Sequence, residues 1–348
     1  MTRKLLSLLL AAVLSLAVSM PALAGETVHF TDSAGRSVEV PADITRIALS
    51  GGTAQMILVA LAPEYFVGVA SPWPKEAQAF LDEDYYNLPV IGQLYGAKDL
   101  NLEQLAALDP QIIIDVGEAK ASIAEDMDDL QATLGIPTVH VDAYLDTFAQ
   151  AYRTLGALLG LEARGEALAA YCETAYARAV AIAAQLEEGD RVRMLYLLGS
   201  DGLNVIAKGS FHGEIIDMLC ENLAVIEGPS TKGTGDPVDM EQILLWNPDV
   251  IVFAPGSVYA QVKDDPLWNE LDAIQNGRYV EAPLGPYNWM GFPPSVQRYL
   301  GLLWMGSLFY PELAGYDLYE EVAAYFELFY HTELTREQFD RLTERSML

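Results

Sequence analysis

Apolar and polar positions spell one short unit twice along this chain, 138 residues apart (239 minus 101). Residues 101–114 read NLEQLAALDPQIII and residues 239–252 read DMEQILLWNPDVIV. In each copy apolar side chains recur at helical spacing, a proline follows, and a β-rich run closes the unit. Asn101 and Asp239 stand where a side-chain oxygen can accept from the free amides of a first turn, and Glu103 and Glu241 suit the positive helix end. Pro110 and Pro248 stop the helices, and 112–114 and 250–252 predict strands covered on both faces. A long-period duplication of such a unit implies two similar lobes, and two lobes imply a cleft.

The surrounding pattern extends the duplication. Residues 28–30 and 37–40 flank Ser33-Ala34-Gly35-Arg36 as a small hairpin. Strands follow at 46–49, 66–70 and 138–141, and the first of these runs into Ser50-Gly51-Gly52-Thr53 and the helix AQMILVALA. The second half repeats the order with strands at 193–198 and 278–281 and a helix around 214–219. Strands alternating with helices predict an α/β protein of two Rossmann-like lobes with mainly parallel sheets. Between them 162–188, rich in Ala, Glu and Leu with no proline, predicts one long helix. The expected division is an N-terminal lobe over 25–161, a linking helix over 162–190 and a C-terminal lobe over 191–348. A helical strut is stiff, so closure of the cleft is expected to be a few degrees.

Composition adds the compartment. Arg3 and Lys4, an apolar run over 5–18 and Ala22-Leu23-Ala24 form the three parts of a secretory signal over 1–24. The first cysteine is Cys172, so no lipid-attachment cysteine stands at the cleavage site, and the expected product is exported and soluble. The formal charge of −29 becomes −31 when Arg3 and Lys4 leave with the signal. That field disfavours nucleic acid and anionic lipid; it suits either a positively charged partner surface or solubility alone. Cys172 and Cys220 are compatible with a disulfide or with two free thiols, and no CxxC occurs.

The signal segment, the two βα lobes, the helical strut and the paired Glu-Gln…Pro units together resemble the substrate-binding proteins of bacterial ABC importers for ferric siderophores, haem, cobalamin and related metal complexes. The most specific stretches are 239–252 and Gly285-Pro286-Tyr287-Asn288-Trp289 with Pro293-Pro294-Ser295-Val296. The resemblance implies a monomeric, non-catalytic protein of a Gram-negative periplasm, with no resident cofactor. It captures an iron complex, siderophore or haem-like, and delivers it to a permease and its ATPase. A free metal ion or cobalamin is the alternative ligand. The family docks through one acidic residue per lobe; by position relative to Leu134-Gly135 and Cys220 these are Glu125 and Glu214, with Glu118, Asp126 and Asp217 competing.

Ligands of open α/β sheets sit beyond the carboxyl ends of the strands. That rule selects loops carrying Trp73, Tyr95, Tyr259, Tyr287, Trp289 and Phe292, aromatics that either stack on a flat chelate or cap the lobe cores. His212 is the only histidine expected on a cleft loop, as an iron ligand or a helix cap. Lys98, Lys208, Lys232 and Arg298 are cations that meet an anionic ligand or simply face solvent. No clustered His, Cys and carboxylate motif indicates a bare metal site. An enzyme is disfavoured as well: Gly209-Ser210-Phe211-His212-Gly213 places its serine one position too early for a nucleophile elbow, and no GxGxxG or P-loop occurs.

Overall fold

The computed structural model describes residues 26–348 except 96, 188, 231 and 292. The expected signal over 1–24 and Phe292 therefore lie outside the described residues. Strands β1 (Thr27–Thr31) and β2 (Ser37–Pro41) pair antiparallel as the expected hairpin. Strands β3 (Ile47–Leu49), β4 (Ile112–Gly117) and β5 (Thr138–Asp142) form a parallel sheet in that order, and Asp115 lies opposite His140 in its register. The strand expected over 66–70 is reduced to bridges of Phe66 with Ile47 and Val69 with Val90. Pro89 has no amide to donate to a longer ladder, and Gly68 lies so close that a Cβ would sit 2.8 Å from the Pro89 carbonyl.

The second lobe contains β6 (Arg193–Leu198), β7 (Asn204–Val205), β8 (Glu221–Asn222), β9 (Asp236–Pro237), β10 (Val250–Phe253) and β11 (Tyr279–Glu281). Its sheet runs β11-β10-β6-β7-β9, with β8 also beside β6. Strands β8, β6, β10 and β11 are parallel, and the short β7 reverses direction.

Both copies of the repeated unit fold alike. Asn101 accepts from the Gln104 amide at 3.0 Å, and Asp239 from the Gln242 amide at 2.8 Å. Asp109 and Asn247, each just before the proline, turn the chain in the left-handed region (φ 49° and 41°). Residues before proline disfavour the right-handed helix, and Asp and Asn tolerate the left-handed one.

The linking helix is Glu162–Ala183, 22 residues. It doubles back at Gly160 on the Phe148–Leu159 helix, so tightly that a Cβ on Gly165 would lie 2.6 Å from the Tyr152 carbonyl. Helices Arg298–Phe309 and Leu318–Tyr330 pack on the same strut, and Tyr325 and Phe329 of the second stack at 4.2 Å. The second of these crosses back to cover the Gly52–Leu61 helix of the first lobe, whose residues from Ala54 to Leu61 are all buried. One hydrophobic core consequently runs through both lobes. Cys172 and Cys220 are buried free thiols. Among the described residues no helix is long and apolar enough to cross a membrane.

Candidate functional site

The ends of β3, β4 and β5 open on a cleft of about 260 Å³, faced from the other lobe by Phe211, Pro293 and Pro294. Its first wall is the turn from β3 into the Gly52–Leu61 helix. The first helical donor there is Gln55, whose amide reaches the Gly51 carbonyl at 3.0 Å. The amides of Gly52, Thr53 and Ala54 precede the ladder and point, with the positive end of the helix dipole, at the cleft. Gly117, in a positive-φ conformation (142°), lets the end of β4 pass Thr53, against whose Cγ2 a Cβ would press at 3.2 Å.

Beneath this wall lies a chain of buried polar groups. Ser50 donates a short hydrogen bond to Asp115 Oδ1. His140 Nδ1 is 2.6 Å from Asp115 Oδ2, and its Nε2 is 2.9 Å from Asp142 Oδ1. A ring whose two nitrogens both face carboxylates is in a setting that favours the imidazolium, which donates from both. Burial works to lower the His140 pKa, and the hydrogen bonds and charges of Asp115 and Asp142 outweigh it, so the net shift is upward. At the rim Lys120 pairs with Glu118 at 2.8 Å. Tyr95 turns its ring to the cleft and donates its hydroxyl to Asp126 at 2.7 Å. Burial first, and that bond second, push the phenol up, so it stays protonated.

Arg298 lies one layer behind the opposite wall. Its guanidinium sits 4.8 Å over the Phe211 ring, and Nη1 donates to Glu214 at 2.8 Å and to the Phe211 carbonyl at 3.4 Å. The side chain is 1 % exposed, yet Nε and Nη2 have no hydrogen-bond partner. Burial pulls its pKa down from the ordinary value against the pull of Glu214, and the Glu118 charge from the facing lobe also reaches it.

Of the residues expected at the site, the structure brings Tyr95 to the cleft and Arg298 behind it. The other aromatics serve the interior. Trp289 is fully buried with Nε1 on the Gly285 carbonyl at 3.0 Å. Trp73 is buried, donates to the Tyr85 carbonyl at 3.2 Å and meets Tyr287 across the lobes at 6.4 Å. Tyr259 packs between Phe253 and Tyr279. His212 stands edge-on to Phe211, outside the cleft lining, and Lys232 is on an exposed loop, its amide donating to Ser230. Glu125 is exposed on the first turn of the Ile123–Leu134 helix; Glu214, also in a first turn, is held by Arg298. Among the described residues no group of three or more His, Cys, Asp and Glu is placed to hold a metal ion.

The site residues that sequence reading passed over are Asp115, His140 and Phe211. The visible signal was Asp115 itself, a charge inside a strand otherwise made of IIIVG and buried throughout. Such a residue requires buried partners, and His140 in the next strand is the one in register.

Comparison with known proteins agrees with the two-lobed fold. The sequence profile of the family described as periplasmic binding protein matches residues 70–284. The molybdate-binding protein MolA of Haemophilus influenzae is 26% identical, over 94% of this chain and 97% of its own. The Fe(3+)-citrate-binding protein YfmC of Bacillus subtilis is 25% identical over 52% of this chain and 56% of its own. An ABC transporter solute-binding protein from Sulfurospirillum deleyianum superposes with a TM-score of 0.83 at 28% identity, covering 91% of this chain and 99% of that one. The chain belongs to the periplasmic binding protein family, the non-catalytic class that delivers a small ligand to an ABC importer.

Proposed function

We propose that the cleft captures a small oxyanion of the molybdate class and carries it to the importer. The observation that supports this most is the set of free amides at Gly52, Thr53 and Ala54, opening into a space of about 260 Å³. Helix N-terminal amides bind tetrahedral anions, and pockets for drug-sized or larger ligands start at roughly 300 Å³. The two tryptophans expected to stack on a porphyrin or a catecholate siderophore, Trp73 and Trp289, are packed in the core. Arg298 supplies a positive charge from behind the Phe211 wall, and the binding role of MolA points the same way. Ferric citrate, a compact iron chelate rich in carboxylate, is the second reading, favoured by the likeness to YfmC. Docking on the importer through Glu125 and Glu214 is part of the proposal.

A thermal-shift panel of molybdate, sulfate, phosphate, ferric citrate, haem and a ferric catecholate tests the reading. A ligand that binds only the folded protein stabilises it by about 2.7 kcal/mol at one hundred times its dissociation constant. An oxyanion is expected to raise the melting temperature. A response to haem or the catecholate with none to any oxyanion refutes it.

A further inference from the structure

We propose that Phe211 is a gate over Arg298: an oxyanion entering the cleft turns the ring aside, and the free edge of the guanidinium takes two of its oxygens. This rests on the oxyanion reading and adds the second lobe's half of the site.

A guanidinium presents its donors in pairs along its edges, and Nε with Nη2 form an edge that suits two oxygens of one anion. Arg298 uses only Nη1 on protein acceptors, the Glu214 carboxylate at 2.8 Å and the Phe211 carbonyl at 3.4 Å. Nε and Nη2 belong to a side chain 1 % exposed and have no acceptor among the described residues. Buried donors of a charged group are costly to leave unmatched, and here both unmatched donors share one edge. An acceptor of matching shape carries two oxygens on one central atom, as an oxyanion does.

Arg298 is fixed at both ends of its side chain. Gly291 (φ 88°) lies so close to the stem that a Cβ there would stand 2.6 Å from Cγ and 2.7 Å from Cδ. Glu214 holds the tip through Nη1. The ligand must therefore come to the guanidinium, and Phe211 stands between. Its ring covers the guanidinium at 4.8 Å and lines the cleft opposite Gly52, Thr53 and Ala54, whereas Arg298 does not reach the lining.

The backbone that carries the ring is pinned. The Gly209 amide donates to Asp217 at 2.6 Å, and the Gly213 amide to Ser210 Oγ at 3.1 Å. A Cβ on Gly213 would lie 2.6 Å from the Ala207 carbonyl. Moving the loop as a body breaks these contacts; rotating the Phe211 side chain breaks none of them. The ring is half-buried, unlike Trp73 and Trp289 in the core, and its aromatic neighbour is the His212 ring at 5.6 Å. Opening thus gives up one stack on the guanidinium and leaves the Glu214 anchor in place.

The test is titration calorimetry of the full chain with molybdate, sulfate and phosphate, together with the nitrogen-15 spectrum of its arginine side chains. Arg298 Nε is identified there by its absence from Arg298→Met. When the oxyanion binds, that Nε–H signal is expected to shift and its exchange with water to slow. Arg298→Lys keeps the charge but not the paired edge, and should bind about tenfold more weakly, as Arg298→Met does. Phe211→Ala should bind about two- to fivefold more tightly, because no stack has to be given up. An unmoved Nε signal in the bound wild type, or wild-type affinity in Arg298→Lys, shows a charge acting at a distance and overturns the inference. Binding by Phe211→Ala that is no tighter than wild type also overturns it, since the ring is then a fixed wall. The wild-type spectrum decides the matter even where Arg298→Lys or Phe211→Ala fails to fold. Absence of binding by all three oxyanions overturns the oxyanion reading itself, and the gate with it.

Discussion

Arg298→Met separates what the buried guanidinium does for the fold from what it does for the ligand. The substitution removes the 2.8 Å bond to Glu214, the stacking on Phe211 at 4.8 Å and the long contact at 3.4 Å to the Phe211 carbonyl. A hydrogen bond to a charged group contributes about 1.5–3 kcal/mol when both partners are buried. The Glu214 side chain is 39% exposed and rehydrates when freed, so about 1 kcal/mol is the reasonable loss here. The stacking adds roughly 0.5–1 kcal/mol. On the other side, the wild type buries Nε and Nη2 without partners, at about 1–3 kcal/mol each, besides the desolvation of the charge. Methionine fits the aliphatic channel that Gly291 leaves open for the Arg298 stem. The balance favours the variant by about 1–3 kcal/mol, a rise of roughly 2–6 °C in melting temperature of the unliganded protein. Affinity for an oxyanion should move the other way, about tenfold weaker, because a unit charge near the cleft is worth about 1–2 kcal/mol at an effective dielectric of 20. Thermal melts without ligand and calorimetry with molybdate give the two numbers. A melting temperature several degrees lower, with unchanged affinity, would refute the reasoning.

Three further outcomes are expected. His140 has a raised folded pKa, so its stabilising effect is complete below the ordinary value of 6.5 and is lost as pH rises through the raised one; the melting-temperature gap between wild type and His140→Asn should therefore shrink with alkaline pH. Gly165→Val puts a side chain where even a Cβ stands 2.6 Å from the Tyr152 carbonyl, which should cost about 2–4 kcal/mol in urea unfolding; a loss under about 0.5 kcal/mol would show that the helix pair yields easily. Glu125→Arg should lower ligand uptake in transport assays and leave calorimetric affinity unchanged, because the residue is exposed and outside the cleft lining; lost affinity would count against a docking role.

The repeated unit was readable because its physics is local. Capping side chains, helical spacing and a proline act within a dozen residues, and both copies fold as those rules require. The linking helix was readable for the same reason, although it ends at Ala183 rather than near 188. Long-range choices were less visible. Trp289 and Trp73 lie on loops by sequence, and only the packing of distant segments shows them filling the interior, Trp289 fully buried and Trp73 against Tyr287. The Ser50–Asp115–His140 chain joins three strands that meet only in the folded sheet, so its members look unrelated in one dimension.

The crossing of the Leu318–Tyr330 helix back onto the Gly52–Leu61 helix orders events in time. A helix whose residues from 54 to 61 are all buried, partly beneath a segment some 260 positions later in the chain, keeps one face uncovered until nearly all of the polypeptide is present. A chain crossing a membrane amino end first would thus pass through with its first lobe unfinished. The last helices act as a closing clasp on the first lobe.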